Sequence, residues 1–446
     1  TSNFRAGVNA GNSITSGGNY NVLVGDEAGT AITTGDENTA IGTGALDTNV
    51  TGSNNTAVGR NALTTSTVDN NTAIGWQSLQ ATTTGTNNTG LGLRSLYTNT
   101  TGASNTALGR DALYANTTAS DNTAVGYNAL TANTTGNKNT AVGQNALIAN
   151  TTGTINVALG NGALQTATTA DGNTAVGSGA QLYTTTGAGN TSIGRIALFY
   201  NTTGASNVAV GKEALFNSTT ASNNTAVGFQ SALGTTTGAN NTALGTYSFF
   251  TNSTGADNVA VGHQANYYNT TGSSNVAVGK DALQKNTTAS NNTAVGFQSL
   301  DANTTGNNNT AVGQNSLSTL VGSDRNVAIG AGSLNAFNGT DGADTYNTAV
   351  GFNAANDLTT GTANTIIGGL AGDVLTTGDN NVVLGYQALG NDTKGSKNVA
   401  VGNSALLAQN FTSATDSYNV AVGHGAGAAV TTGTGNTFIG GLAGDA

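Results

Sequence analysis

Apolar and polar positions follow one another in a fixed order that repeats along almost the whole chain. The motif Asn-(Thr/Val)-x-(Val/Ile/Leu)-Gly occurs 25 times, from Asn21–Gly25 to Asn436–Gly440. Its glycines, called anchor glycines below, are 17 residues apart, except for one step of 16 and two steps of 21. A period of this length is typical of a solenoid, in which each coil buries its apolar side only against the next coil.

Three further columns, meaning positions that recur in successive coils, complete the repeat. The third residue after the anchor glycine is Ala or Ser, the fourth is usually Leu, and an Asn-Thr-Thr-Gly segment such as Asn133–Gly136 often follows. The consensus coil is therefore N-[TV]-A-[VIL]-G-x-x-[AS]-L-x-x-N-T-T-G-x-x.

The columns predict short strands and turns. In Asn-Thr-Ala-Val, the Thr/Val and Val/Ile/Leu positions share one face of a strand and the Ala points to the other, and β-branched residues favour this conformation. The anchor glycine suits a corner. We expect a second short strand at Ala/Ser-Leu and a turn at Thr-Thr-Gly. Because glycine recurs twice in a consensus coil, helices are disfavoured.

The prediction is an all-β protein, a parallel β-solenoid (β-roll) of about 25 coils with a 17-residue period. Residues 21–446 form the continuous array, which breaks off in mid-coil, and residues 1–20 form an atypical first coil or lead-in segment. Since the chain also lacks Met, we expect neither terminus to be the biological end.

The Asn of the motif is invariant in all 25 copies, which indicates a structural role. Identical amides stacked about 4.8 Å apart can bond to one another and to the backbone as a ladder. A local turn role of the Asx type is the alternative. The ladder and its anchor glycines are represented by Asn55, Asn122, Asn139, Asn207, Asn275, Asn309, Gly59, Gly126, Gly143, Gly211, Gly279 and Gly313.

The amino-acid composition excludes several classes of function. Charged residues make up 8% of the chain, and Cys is absent, so the sequence offers neither a disulfide framework nor a metal-thiolate site. A net charge of −10 over 446 residues argues against a nucleic-acid partner. The sequence contains no apolar run of about 18 residues, so we expect no membrane insertion. A Thr- and Asn-rich, charge-poor chain suits an extracellular location.

Candidate catalytic chemistry is sparse, and we expect no enzyme and no cofactor. The only histidines, His263 and His424, each follow an anchor glycine in a variable column. The sequence at 368–373 carries glycines and an Asp, but in the wrong order for a calcium-binding β-roll. The two 21-residue steps insert four extra residues around Asn338–Asp344 and Phe411–Asp416, and we expect these bulges to be irregular contact points.

A coil with about four apolar side chains, several of them Ala, offers a thin core. Small residues opposite the Val/Ile/Leu column would let the backbone of another chain approach closely. We therefore expect a homotrimer, in which the Ala columns face neighbouring chains. A single-chain solenoid stabilised by ladders is the alternative.

The repeat resembles known families over essentially the whole chain from residue 21, and two stretches illustrate the resemblance. Asn122–Leu130 reads NTAVGYNAL and Asn381–Leu389 reads NVVLGYQAL. The repeat resembles the YadA-like heads of trimeric autotransporter adhesins, and is still more similar to repeats in bacteriophage tail-fibre proteins and large surface proteins of marine bacteria. The resemblance implies a trimeric fibre, on a virion tail or bacterial surface, that holds a binding tip for a cell-surface glycan or receptor.

Other functions remain open. Recurrent Thr-Thr pairs such as Thr117–Thr118 could form an ice-binding face, although neighbouring residues of a strand point to opposite faces. The subunit could also join end to end in a bacterial surface filament. Variable aromatic residues such as Trp76 could bind carbohydrate or pack over coil edges, and Asn116 lies in a glycosylation sequon.

Overall fold

A computed structural model describes residues 2–445 of the chain. The chain divides into two compact units, Thr1–Ser222 (unit 1) and Asn223–Ala446 (unit 2). Each unit consists of short parallel strands joined by turns, and residues 2–445 contain no helix. None of that part of the chain therefore forms a helix long and apolar enough to cross a membrane.

The strands of unit 1 are each three residues long and recur once per coil. They are β1 (Phe4–Ala6), β2 (Val22–Val24), β3 (Thr39–Ile41), β4 (Thr56–Val58), β5 (Thr72–Ile74), β6 (Thr89–Leu91), β7 (Thr106–Leu108), β8 (Thr123–Val125), β9 (Thr140–Val142), β10 (Val157–Leu159), β11 (Thr174–Val176), β12 (Thr191–Ile193) and β13 (Val208–Val210).

Unit 2 has the same organisation, with a small second sheet formed by β24 and β26. Its strands are β14 (Thr225–Val227), β15 (Thr242–Leu244), β16 (Val259–Val261), β17 (Val276–Val278), β18 (Thr293–Val295), β19 (Thr310–Val312), β20 (Val327–Ile329), β21 (Thr348–Val350), β22 (Thr365–Ile367), β23 (Val382–Leu384), β24 (Gly395–Ser396), β25 (Val399–Val401), β26 (Thr415–Asp416), β27 (Val420–Val422) and β28 (Thr437–Ile439).

Within each unit, the main strands of successive coils pair in parallel, and equivalent residues face one another. Between β7 and β8, for example, Thr106 pairs with Thr123 and Leu108 with Val125. The same register joins β1 to β2, so the stacking already begins at Phe4. The predicted all-β parallel solenoid with a 17-residue period is confirmed within each unit.

The interior of each coil is thin and made of small residues. The central Ala of the strand, the Ala or Ser after the anchor glycine and the following Leu are fully buried, as Ala124, Ala129 and Leu130 illustrate. The predicted alternation along the strand is confirmed, because the flanking Thr and Val/Ile/Leu side chains point outward. The Ala columns pack inside their own chain. The expectation that they face neighbouring chains was therefore wrong.

The second strand expected at Ala/Ser-Leu is absent from the part of the chain that the structure describes. These residues form a tight turn instead, in which Leu113 has a φ of 51° and its carbonyl accepts a hydrogen bond of 3.2 Å from the Asn116 amide. A left-handed Leu cannot continue a strand. Its burial inside the coil offsets the cost of this conformation.

The anchor glycine is required by both its backbone angle and the closeness of the next coil. Gly126 has a φ of +135°, and a Cβ added to it would lie 2.6 Å from the carbonyl oxygen of Gly143. The next coil repeats this approach, because a Cβ on Gly143 would lie 2.5 Å from the Gly160 oxygen. An L-residue here would be strained and would also push two coils apart.

We expect Gly126→Ala to lower the free energy of unfolding by roughly 3 kcal/mol or more, through strain and a backbone clash. Gly172→Ala is the matched control, because Gly172 has a φ of +65° and open space around its Cβ position. The control should cost only about 1–2 kcal/mol. Urea unfolding followed by circular dichroism measures both, and equal losses would show that the close approach of the coils is unimportant.

Candidate functional site

The invariant Asn of the motif links successive coils, as Asn139 shows. The backbone amide of Asn139 donates to Oδ1 of Asn122 at 2.9 Å, and Oδ1 of Asn139 accepts from the Asn156 amide at 3.0 Å. Nδ2 of Asn139 donates to the carbonyl of Gly153 at 2.8 Å. We call this column the first amide ladder.

The representative positions of the first ladder all have this geometry. Their side chains are at most 1% exposed, and their backbone amides donate to the Asn of the preceding coil at 2.9–3.0 Å; the residues are Asn55, Asn122, Asn139, Asn207, Asn275 and Asn309. The matching anchor glycines have φ between 132° and 138°; they are Gly59, Gly126, Gly143, Gly211, Gly279 and Gly313. These residues are interior parts of the coil and do not face a cavity.

A second amide ladder runs through the Asn of the Asn-Thr-Thr-Gly segments. Nδ2 of Asn116 donates to Oδ1 of Asn99 at 2.8 Å and to the Ala119 carbonyl at 3.0 Å, and Asn133 repeats the pattern with Asn116 at 3.1 Å. Sequence reasoning treated this segment only as a turn, although its recurrence every 17 residues was the available signal. Because Asn116 is fully buried, it is unsuited to carry a glycan.

The second ladder is interrupted where another residue replaces Asn. Asn150 is followed one coil later by Ala167, and Asn303 by Leu320, neither of which carries an amide. In both places the Oδ1 atom of the preceding Asn is buried without a hydrogen-bond partner. A buried acceptor left in this state costs about 1–3 kcal/mol.

The first Thr of the Thr-Thr pairs serves the coil stacking. Oγ1 of Thr117 donates to the carbonyl of Thr134 at 3.1 Å, and Oγ1 of Thr134 donates to that of Thr151 at 3.0 Å. Thr270 and Thr287 make the equivalent bonds in unit 2. These hydroxyls are already engaged with backbone, so the pair cannot present two free hydroxyls to a ligand.

In each unit the outward side of the strands forms an uncharged surface, called the sheet face below. It consists of the second and fourth residues of every motif, and no Asp, Glu, Lys or Arg occupies either position. The Val/Ile/Leu members are partly exposed, for example Leu108 at 41% and Ile193 at 44%. In unit 1 seven consecutive coils place Thr beside Thr, namely Thr39, Thr56, Thr72, Thr89, Thr106, Thr123 and Thr140.

Aromatic residues stack between coils at one turn. The rings of Phe199 and Phe216 are 5.3 Å apart and nearly parallel, and those of Tyr183 and Tyr200 are 5.5 Å apart. In unit 2 Tyr267 belongs to a similar group, and burial raises its pKa above the ordinary value. Because each stacked ring covers a face of its neighbour, these clusters stabilise coil packing and expose mainly ring edges to solvent or a ligand.

Charged residues near the anchor glycines form local pairs. Asp111 is largely buried between Arg94 at 2.9 Å and Arg110 at 3.1 Å, and the Asp111 hydrogen bond raises the pKa of Arg94. His263 and His424 are both exposed. Among residues 2–445, no three His, Cys, Asp or Glu side chains are grouped to hold a metal ion.

The two four-residue insertions share one arrangement, which closes each of them onto the preceding coil. Arg325 binds Asp344 and the hydroxyl of Tyr346, and Lys397 binds Asp416 at 2.5 Å and the hydroxyl of Tyr418 at 3.1 Å. In both, the last residue of the insertion begins the sequence Asp-(Thr/Ser)-Tyr-Asn. Their use as contact points for another molecule stays a prediction.

The columns of the repeat define a parallel β-solenoid protein whose interior is held by buried amides. No protein-family model matches the chain, and no curated protein matches it. Its function must therefore be inferred from the surfaces that the coils present.

We expect Ala167→Asn to extend the second ladder. The new Nδ2 would reach Oδ1 of Asn150, which lacks a partner, and the Ala170 carbonyl, as Asn116 does with Ala119. Stability should rise by about 1 kcal/mol. Ala167→Leu is the control, because it fills similar space without an amide. Equal stabilisation of both variants in urea unfolding would attribute the gain to volume and not to the hydrogen bond.

Proposed function

We propose that the chain is an extracellular structural fibre, a shaft that projects a binding element from a virion tail or a bacterial cell surface. The observation that carries the proposal is the repetition of interior hydrogen bonds from coil to coil. Every buried position of the coil contributes to the stacking of the coils. The charge-poor, cysteine-free composition supports an extracellular location. Resemblance to tail-fibre and adhesin repeats supports the same role.

The proposed shaft is a homotrimer, and the sheet face is the surface through which its copies meet. An uncharged surface that presents Val, Ile or Leu in every coil supports this assignment. Leu108 and Val142 remain 41% and 38% exposed in the single chain, and burying them against another chain would contribute roughly 25 cal/mol for each Å² covered. The Ala columns do not support a trimer, because their side chains are buried inside their own chain.

The fibre proposal predicts an elongated particle in electron micrographs and a solution mass of three chains. Leu108→Lys combined with Val142→Lys should reduce the mass to one chain, because lysine charges would be buried at the contact. Thr135→Lys, on an exposed turn away from the sheet face, is the matched control and should remain trimeric. A compact globule would overturn the fibre, and a single-chain mass for the unmodified protein would overturn the trimer.

Ice binding is the second candidate, and one observation favours it. The seven consecutive Thr of the sheet face in unit 1 lie in register, and no hydrogen bond from their hydroxyls to another described residue is recorded. Regularly spaced hydroxyls beside apolar side chains could hold water in an ordered layer. The Thr-Thr pairs considered from the sequence do not support this function, since their first hydroxyls bond to backbone.

An ice-binding protein would show thermal hysteresis, measured by observing single ice crystals during slow cooling. Thr106→Lys combined with Thr123→Lys should abolish it by interrupting the array, and Thr135→Lys should leave it unchanged. Absence of hysteresis in the unmodified protein would exclude this candidate. Since a trimer would cover the same face, hysteresis together with a single-chain mass would favour ice binding over the shaft.

A further inference from the structure

Unit 2 contains a shallow cleft that interrupts the regular surface of the coils. Its volume is about 240 Å³. Three successive coils line it, and we call it the amide cleft. Its residues are Gln314, Asn315, Ala331, Gly332, Asn335, Phe352, Asn353 and Asn356.

The cleft arises because a coil with small residues lies between two coils with larger ones. In the first coil the two positions after the anchor glycine hold Gln314 and Asn315. The middle coil has Ala331 and Gly332 there, and the third coil has Phe352 and Asn353. Gly332 is left-handed, with a φ of +68°, and a Cβ there would lie 2.2 Å from Oδ1 of Asn353. Oδ1 of Asn353 therefore takes up part of the space that a side chain at Gly332 would fill, and the small residues of the middle coil leave the remainder open as the cleft.

The lining of the cleft is rich in carboxamides and contains no charged side chain. Asn335 accepts a hydrogen bond from Ser318 at 2.6 Å, and Asn356 donates to the Gly332 carbonyl at 2.9 Å. The side-chain carboxamides of Gln314, Asn315 and Asn353 form no hydrogen bond with another residue of the described chain, although their backbones bond to neighbouring coils. Each carboxamide can donate and accept, which matches the bonding capacity of a hydroxyl group.

Phe352 adds an uncovered aromatic ring to these amides. Phe352 is 60% exposed, in contrast to the stacked Phe199 and Phe216 of unit 1. Its equivalents in the two neighbouring coils are Ala331 and Gly369, which are too small to cover it. No other ring of residues 2–445 is recorded against it. Much of the Phe352 side chain is therefore available to a flat, weakly polar partner.

We propose that the amide cleft is a binding site for a neutral sugar residue. The C–H face of a pyranose ring can pack on Phe352, while its hydroxyls exchange hydrogen bonds with the free carboxamides. The lack of charged groups disfavours phosphorylated, sulfated or acidic ligands, which would lose their hydration without an ionic partner. The cleft is smaller than the roughly 300–1,000 Å³ of sites for drug-sized ligands, which fits a single sugar residue and weak affinity.

The test uses the full chain and a panel of neutral methyl glycosides: glucose, galactose, mannose, N-acetylglucosamine and N-acetylgalactosamine. Saturation-transfer-difference NMR detects weak binding. Each sugar is added at up to about 10 mM, well above the dissociation constant expected for one sugar residue. We expect at least one sugar to bind. Phe352→Ala should weaken that binding at least about tenfold by removing the stacking surface.

Gly332→Asn supplies a second, filling variant. Asn already occupies the equivalent left-handed position at Asn315 and Asn353, so the backbone should accept it. The Asn353 carboxamide must turn away from the new Cβ, and the added side chain then fills the cleft. Tyr386→Ala is the control, because Tyr386 is exposed in the same column but does not line the cleft. Unchanged circular dichroism and melting temperature establish that each variant is folded.

Loss of binding in the Phe352 and Gly332 variants, with binding retained in the Tyr386 variant, would support the site. Failure of every sugar to bind the unmodified chain would overturn it. Binding that survives both cleft variants would place the sugar elsewhere and would also overturn it. These outcomes are independent of the fibre proposal, because particle shape and mass do not depend on the cleft.

Discussion

The pairing of buried carboxamides between successive coils is the constraint on which the fold depends. A coil contains little apolar material, essentially one Leu and two small residues, so the amide columns occupy a large share of its interior. An amide away from water is tolerated only if its donors and acceptor are bonded. Asn139 meets this condition only when the coils before and after it are in register. Displacement of one coil would leave several buried groups unpaired at once.

The same constraint accounts for the unusual backbone. To bring equivalent amides over one another, the chain must complete a closed turn in 17 residues with only three residues of strand. Non-glycine residues such as Leu113 and Asn128 therefore adopt left-handed angles, and the anchor glycine packs against the carbonyl of the next coil. The cost of these conformations is repeated in every coil, and the intercoil hydrogen bonds offset it each time.

The sequence predicted the repeat, the strand and the direction of its side chains. These were predictable because the same residue types recur at the same positions of the repeat, which identifies the residues that face one another in successive coils. It did not predict the turn at Ala/Ser-Leu, because a buried Leu is equally compatible with a strand until its φ is known. The second amide ladder was overlooked for a related reason: Asn-Thr-Thr-Gly is a common turn sequence, and only the structure places Asn116 inside the coil. The amide cleft depends on residues 17 to 21 positions apart in different coils, and no local pattern reveals it.

Interior and exterior columns differ in how freely they vary, and this difference indicates where recognition can arise. The first-ladder Asn and the anchor glycine never change, whereas the position after that glycine holds Arg, Lys, His, aromatic or small residues in different coils. A substitution there alters the surface without disturbing the stacking. Distinct sites can therefore form wherever neighbouring coils combine suitable residues, as Phe352 does with the carboxamides around Gly332. A protein built from one repeated coil can thus acquire local binding chemistry while its fold remains unchanged.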